Sequence, residues 1–411
     1  MKRYSEYKDS RVKWIGEIPG HWNAVSLKRV VKLINEKSNE QNIPYIALEN
    51  IESFTGKILP LNEIEPDSIC NKFKKDDVLF CKLRPYLTKC VSPSFDGKCT
   101  SELLVLRNFN GVANYLKYTL LSPRLVMDIN ASTYGAKMPR ANWNYIGLCR
   151  VPLPPLPEQE AIVTYLDTKV AKIDEYISIA EKKIAALEEL KQTIIAEAVT
   201  RGIHKDVPMK DSGVKWIGMI PEHWKVNKIR SHFKERRVKV SDKDFQALSV
   251  AKIGIVPQLE DACKTDNGDN RKQVLKGDFV VNSRSDRKGS CGISPLDGSV
   301  SLINIVLRPF DIVQEYVHYL FRSYNYIEEF YRNGRGIVAD LWTTRYSEMR
   351  NIQIPFPPLS EQQEIVNYIE AKVANINQLC QAERSQIEKL KEYKQRLISD
   401  VVTGKVKVTN D

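Results

Sequence analysis

The chain has 411 residues, a formal net charge of +11, 42% hydrophobic and 27% charged residues. That length is too great for one ordinary core, so two or three domains are expected, and the balance excludes a disordered chain. The positive excess suits a polyanionic partner, and no apolar run nears the ~20 residues that cross a bilayer.

The first residues, MKRYSEYKDS, lack the apolar stretch of a signal peptide. The eight cysteines, Cys70, Cys81, Cys90, Cys99, Cys149, Cys263, Cys291 and Cys380, contain no CxxC pair and are joined by five histidines. No metal site is expected, and reduced thiols in a cytoplasmic protein fit better than a disulfide scaffold.

Residues 9–22 read DSRVKWIGEIPGHW, a segment that returns at 211–224 as DSGVKWIGMIPEHW. After it, residues 23–153 have the pattern of a mixed α/β domain. Short strands are expected at 44–48 and 77–80, and a helix at 114–121. Basic and aromatic residues gather near turns: Lys82, Arg84, Tyr86 and Lys89, then Tyr134, Lys137, Arg140 and Trp143. Pro85, Gly135 and Pro139 punctuate them. Arginine on a loop can place two hydrogen bonds on guanine in the major groove, while lysine mostly holds phosphate. Any one of these charges also reads as a solvated surface group, and Trp143 as a core residue.

Residues 154–171, PPLPEQEAIVTYLDTKVA, open a long helix, with Glu158 in the first turn, where negative charge suits the helix dipole. Apolar residues then recur every three or four positions, including Ile173, Ile177, Ile184, Leu187 and Ile194. Such a helix of about 40 residues, roughly 60 Å long, cannot bury its stripe alone.

The second copy follows the same order. Its head, 225–356, has expected strands at 279–281 and 303–307 and a helix at 314–323. Its basic clusters are Arg284, Arg287 and Lys288, then Arg332, Arg335 and Arg345, with Trp342 read as core. Residues 357–374, PPLSEQQEIVNYIEAKVA, answer 154–171 and open a second stripe with Ile376, Cys380, Ile387, Leu390 and Leu397. Lys191 and Lys394 interrupt the two stripes at matching places, and Glu383 interrupts only the second, where the first has Ala180.

The fold class is therefore α+β: two mixed α/β domains and two long helices that pair as an antiparallel coiled coil, in a pseudo-twofold internal repeat. The expected divisions are 1–157, 158–200, 201–356 and 357–411. Because the HW segment precedes the first head and its copy follows the first helix, the first residues are expected to fill the place after the second helix, so that the two ends meet.

The doubled PPLPEQ/PPLSEQ and KWIGEIPGHW/KWIGMIPEHW segments, with DVLFCKLRPY at 77–86, resemble the conserved regions of type I restriction-modification specificity subunits. The resemblance spans essentially the whole chain. It implies two variable target-recognition domains, each reading half of a split, asymmetric double-stranded DNA site, with the helices setting the gap. It also implies docking of two methyltransferase subunits that bind S-adenosylmethionine, joined by restriction subunits that use ATP and Mg²⁺. No cofactor is expected in this chain itself.

Two other classes stay open at this level: an interaction scaffold with protein-binding heads, and a self-sufficient nuclease or methyltransferase. The N/D-P-P-F/Y motif of an adenine methyltransferase is absent, as is any glycine-rich phosphate loop. Pro66-Asp67 followed by Asp96-Gly97-Lys98 is the nearest pattern to a Mg²⁺-holding nuclease centre. Asp297-Gly298, followed by serine, answers Asp96-Gly97 and favours a turn.

Overall fold

In the computed structural model, residues 3–61, 69–204, 206–258, 268–336 and 342–409 are described. The chain forms two compact units, Met1–Glu181 with Arg384–Asp411, and Lys182–Glu383. The central helix (Leu156–Arg201) and the C-terminal helix (Leu359–Val402) are each divided between the units rather than standing as units of their own.

The first unit holds a four-stranded antiparallel sheet in the order Lys32–Ile34, Leu103–Arg107, Val78–Cys81, Cys90–Val91. Val78, Phe80, Leu104 and Leu106 point to one face and join the core under the helices, whereas Leu79, Cys81, Leu103 and Val105 join a second cluster on the other. That two-residue alternation is what a sheet buried on both sides requires. A smaller four-stranded sheet beside it contains Gly97–Cys99.

The second unit repeats the main sheet as Phe233–Glu235, Asn304–Pro309, Phe279–Asn282, Cys291–Ile293. Its second sheet differs, having three strands and a separate hairpin, Leu248–Ala251 with Gly254–Pro257. The expected helices are present as Ala113–Leu120 and Gln314–Arg322, and each is followed at once by another, Pro123–Ala131 and Tyr324–Arg332. Among the described residues no helix is long and apolar enough to cross a membrane.

The helix seams are buried as the stripe requires. Ile173, Ile376, Cys380, Ile387 and Leu397 are buried, and Ile177, Ile184, Leu187, Ile194 and Leu390 are half-buried. In the first unit, Lys394 on the C-terminal helix donates to Asp174 on the central helix at 2.7 Å. In the second, Lys183 pairs with Glu383 at 2.5 Å and Lys191 donates to Asn377 at 3.2 Å, so the numbering rises on one helix as it falls on the other. The interruptions in the apolar stripe are thus cross-helix polar contacts. The partner is an aspartate in one copy and an asparagine in the other.

The repeated motifs explain each other. In the first unit Glu158 accepts hydrogen bonds from Tyr4 Oη at 2.7 Å and Trp22 Nε1 at 3.1 Å, and pairs with His21 Nε2 at 2.5 Å. Gln159, fully enclosed, accepts from the Val112 N–H at 3.0 Å and donates to the Pro154 carbonyl at 2.9 Å. In the second unit Gln362 repeats both bonds with Val313 and Pro357, and Glu361 pairs with His223 at 2.7 Å. Here the Trp224 indole N–H finds no acceptor. The EQ pair therefore ties head, helix and HW segment together, beyond any effect on the helix dipole.

The two ends meet within the first unit. Trp14, Ile15, Ile18 and Trp22 share a core with Leu397, Ile398, Val401 and Val402, and Tyr7 Oη donates to the Gly404 carbonyl at 3.0 Å. Gly404 ends its helix at φ +73°, and a Cβ there would sit 2.4 Å from the Pro19 ring. Gly202 ends the central helix at φ +77° against Trp224 in the same manner. The N-terminal segment thus occupies, after the second helix, the place that its copy occupies after the first.

Burial alone would raise the Glu158 pKa, but the bonds from Tyr4, His21 and Trp22 outweigh it and hold the carboxyl below its ordinary value. A folded-state pKa below the unfolded one contributes stability that is present above the unfolded value, about 4.3, and is lost as pH falls through the folded value. Thermal unfolding from pH 7 to about pH 3 should show the midpoint dropping below about pH 4. Glu158→Gln should lower the neutral-pH midpoint and flatten that drop. An unchanged acid slope in the variant would contradict the assignment.

Candidate nucleic-acid interface

Each head carries two loops stitched together by backbone bonds. In the first head Leu83 and Tyr134 both bridge to Arg140, the Arg84 N–H donates to the Pro139 carbonyl at 2.7 Å, and Ala141 N–H donates to Lys82 at 2.9 Å. In the second, Arg284 and Arg335 both bridge to Thr343, Ser285 N–H donates to Trp342, and Thr344 N–H donates to Ser283, each at 2.9 Å. This register pairs Arg84 with Ser285, Arg284 with Leu83, and Trp342 with Pro139. The stitching is shared, while the side chains at the tips are not.

The bridge gathers Lys82, Arg84, Lys137 and Arg140 on the paired loops of the first head. Arg84 adopts φ +48° and its guanidinium reaches the Lys137 carbonyl at 3.5 Å. Lys137 is exposed. Arg140 is engaged by Glu102 in a two-pronged pair, with Nε at 3.2 Å from both oxygens and Nη2 at 3.0 Å from one. That contact favours the charged guanidinium and raises its pKa. Lys89 is drawn into the fold, donating to the Leu48 carbonyl at 2.6 Å.

In the second head five candidate side chains have a carboxylate neighbour among the described residues. Arg284 Nε lies 3.1 Å and Arg287 Nε 3.8 Å from Asp286, Lys288 lies 3.1 Å from Glu328, Arg332 3.1 Å from Glu329, and Arg335 3.8 Å from Glu348. Arg345 caps the short helix Tyr346–Met349 through its backbone N–H, which donates to Glu348 at 3.1 Å. Exposed pairs of this kind are worth little and exchange readily for other partners.

Trp143 packs half-buried against the first core. Trp342 does not follow: it is 36% exposed on its loop, contrary to the core position expected for it. It rides on the stitched loop, where its backbone carbonyl accepts from the Ser285 N–H. Sequence reasoning also passed over Glu102 and Asp286, since acids were not sought on a surface read as basic.

Asp96 and Asp297 both accept a turn N–H, from Lys75 at 2.7 Å and Lys276 at 2.6 Å, and Lys98 is buried with its Nζ on the Glu40 carbonyl at 2.6 Å. These are turn and packing roles; Pro66-Asp67 lies outside the described residues. Among the described residues no group of three or more His, Cys, Asp or Glu side chains could hold a metal ion.

The domain family described as "Type I restriction modification DNA specificity domain" matches residues 236–389. The putative type I restriction enzyme MjaX specificity subunit of Methanocaldococcus jannaschii is 26% identical over 437 aligned residues, covering 98% of each chain. Over nearly its whole length the chain is similar to a type I specificity subunit. The EcoDI specificity subunit of Escherichia coli is also 26% identical, over 46% of this chain and 44% of its own length, so less than half of that subunit is matched. Among solved structures, a chain of a type I R-M system complex has a TM-score of 0.68 at 18% identity, covering 94% of this chain and 98% of that one. The HsdS subunit of Thermoanaerobacter tengcongensis has a TM-score of 0.53 at 20% identity, covering 95% and 98%. These two establish that the chain has their fold.

Proposed function

We propose that the chain is the sequence-recognition subunit of a type I restriction-modification assembly, in which each head reads one half of a bipartite, asymmetric site on double-stranded DNA. The observation that carries this reading is the pair of stitched loops: one scaffold used twice, with unlike side chains at the tips. A net charge of +11 supplies the sequence-independent attraction to phosphate, and the loop arginines supply hydrogen bonds to base edges.

The helix pair sets the gap between half-sites and docks two methyltransferase subunits. Catalysis belongs to those subunits and to the restriction subunits, which hold S-adenosylmethionine, ATP and Mg²⁺; this chain selects the sequence.

Methylation-motif sequencing of a host that carries the chain with its methyltransferase should return a bipartite motif. Exchanging residues 23–153 for the corresponding head of another specificity subunit should rewrite one half of that motif and leave the other half and the gap intact. A single undivided motif, or changes spread over both halves, would overturn the reading.

A further inference from the structure

Both heads carry a cavity at the same place, between the loop tip and the second of the two consecutive helices. In the first head it is about 260 Å³ and mainly apolar, with Phe54, Tyr86 and Met127 on its walls. In the second it is about 440 Å³ and lined by Asp286, Lys288, Glu328, Tyr331, Arg332 and Trp342. The register makes Glu328 the counterpart of Met127, and Asp286 the counterpart of Pro85. The heads therefore differ where a shared scaffold frames a pocket.

A carboxylate at the tip of a basic loop is a liability over phosphate, because like charges repel. It becomes an asset over a base edge that offers an amino group. In the major groove, cytosine N4 and adenine N6 are donors, whereas guanine offers only N7 and O6 acceptors and thymine O4 and a methyl group. Asp286 is suited to that task. Arg284 and Arg287 flank its carboxylate and offset its charge, leaving oxygen lone pairs to accept. Trp342 adds an exposed aromatic ring at the loop position that Pro139 holds in the first head.

We infer that Asp286 is a specificity-determining residue of the second head, accepting a hydrogen bond from the exocyclic amine of a cytosine or adenine in its half-site, with Trp342 packed beside that base. The inference rests on the recognition reading above and names the chemistry of one of its positions.

The test is selection from a randomised duplex library by the full chain, with its methyltransferase subunits present, for the unaltered protein, Asp286→Ala, Asp286→Asn and Trp342→Ala. The unaltered protein should prefer cytosine or adenine at one position of one half-site. Asp286→Ala should weaken that preference about tenfold or more. Asp286→Asn, which is isosteric, should turn it toward adenine, whose N6 and N7 suit an amide. Trp342→Ala should weaken the same position, and the other half-site should not move. If the unaltered protein selects a bipartite motif but both Asp286 variants keep every base preference, this inference falls and the recognition reading stands. It falls equally if Asp286→Ala binds all sequences more tightly by one common factor, since the carboxylate would then only repel phosphate. If the unaltered protein selects no motif, both readings fall.

Discussion

Lys394→Ala is expected to destabilise the first unit by about 3–5 kcal/mol, the usual cost of stripping one partner from a buried ion pair. The Lys394 side chain is 5% exposed and Asp174 14%, so the carboxylate left behind stays largely out of water. Lys57 also reaches Asp174, at 2.7 Å, which places the effect toward the lower end. Burial by itself raises the Asp174 pKa, and the two lysines reverse that and hold it low.

Asp174→Asn recreates the amide that faces Lys191 in the second copy and should cost less, about 1–3 kcal/mol. Replacing both residues by leucine should be near neutral, because the apolar seam then continues without a buried charge. Denaturant midpoints for the three variants decide the matter. A loss below about 1 kcal/mol for Lys394→Ala would mean that the pair is a solvated surface contact after all.

Trp22→Ala should also cost about 3–5 kcal/mol, by the cavity left and the transfer energy lost. Trp22 is completely enclosed in the core that joins residues 14–22 to the end of the C-terminal helix, and its indole N–H is held by Glu158. Trp22→Phe, which keeps the ring but not the N–H, should recover much of the loss. Two transitions are possible in a chain with two compact units, so the loss is best read with a probe in the first unit, such as exchange of the Leu106 amide. Wild-type protection there in Trp22→Ala would show that the terminal segment is dispensable to that core.

The repeat carried the architecture because each motif is local and long enough to be recognised twice. The helix stripes were legible for the same reason: ten seam positions at alternating spacings of three and four all lie buried or half-buried. The second helix of each head was not legible. Pro123–Ala131 and Tyr324–Arg332 begin directly after Ser122 and Ser323, without a loop to announce them. The roles of Gln159 and Gln362 were hidden because their partners, Val112 and Val313, lie 47 and 49 residues away. Trp342 was misplaced because a large aromatic ring is ordinarily core, and only its backbone bond to Ser285 reveals that it rides on a loop. Which basic residues gather was partly visible, but Lys89 shows the limit, since a cation beside a strand end can serve a carbonyl within the fold.

The separation of stitching from tips has an evolutionary consequence. Bonds that hold the paired loops run between backbone atoms, and the brackets built on Gln159 and Gln362 lie at the base of each head. Exposed tip side chains therefore change at little cost in stability, since surface substitutions away from such features usually stay within about 0.5 kcal/mol. New target sequences become reachable by drift through folded intermediates, and diversity should accumulate at exposed positions such as 86, 137 and 286–288 long before it reaches the frame that supports them.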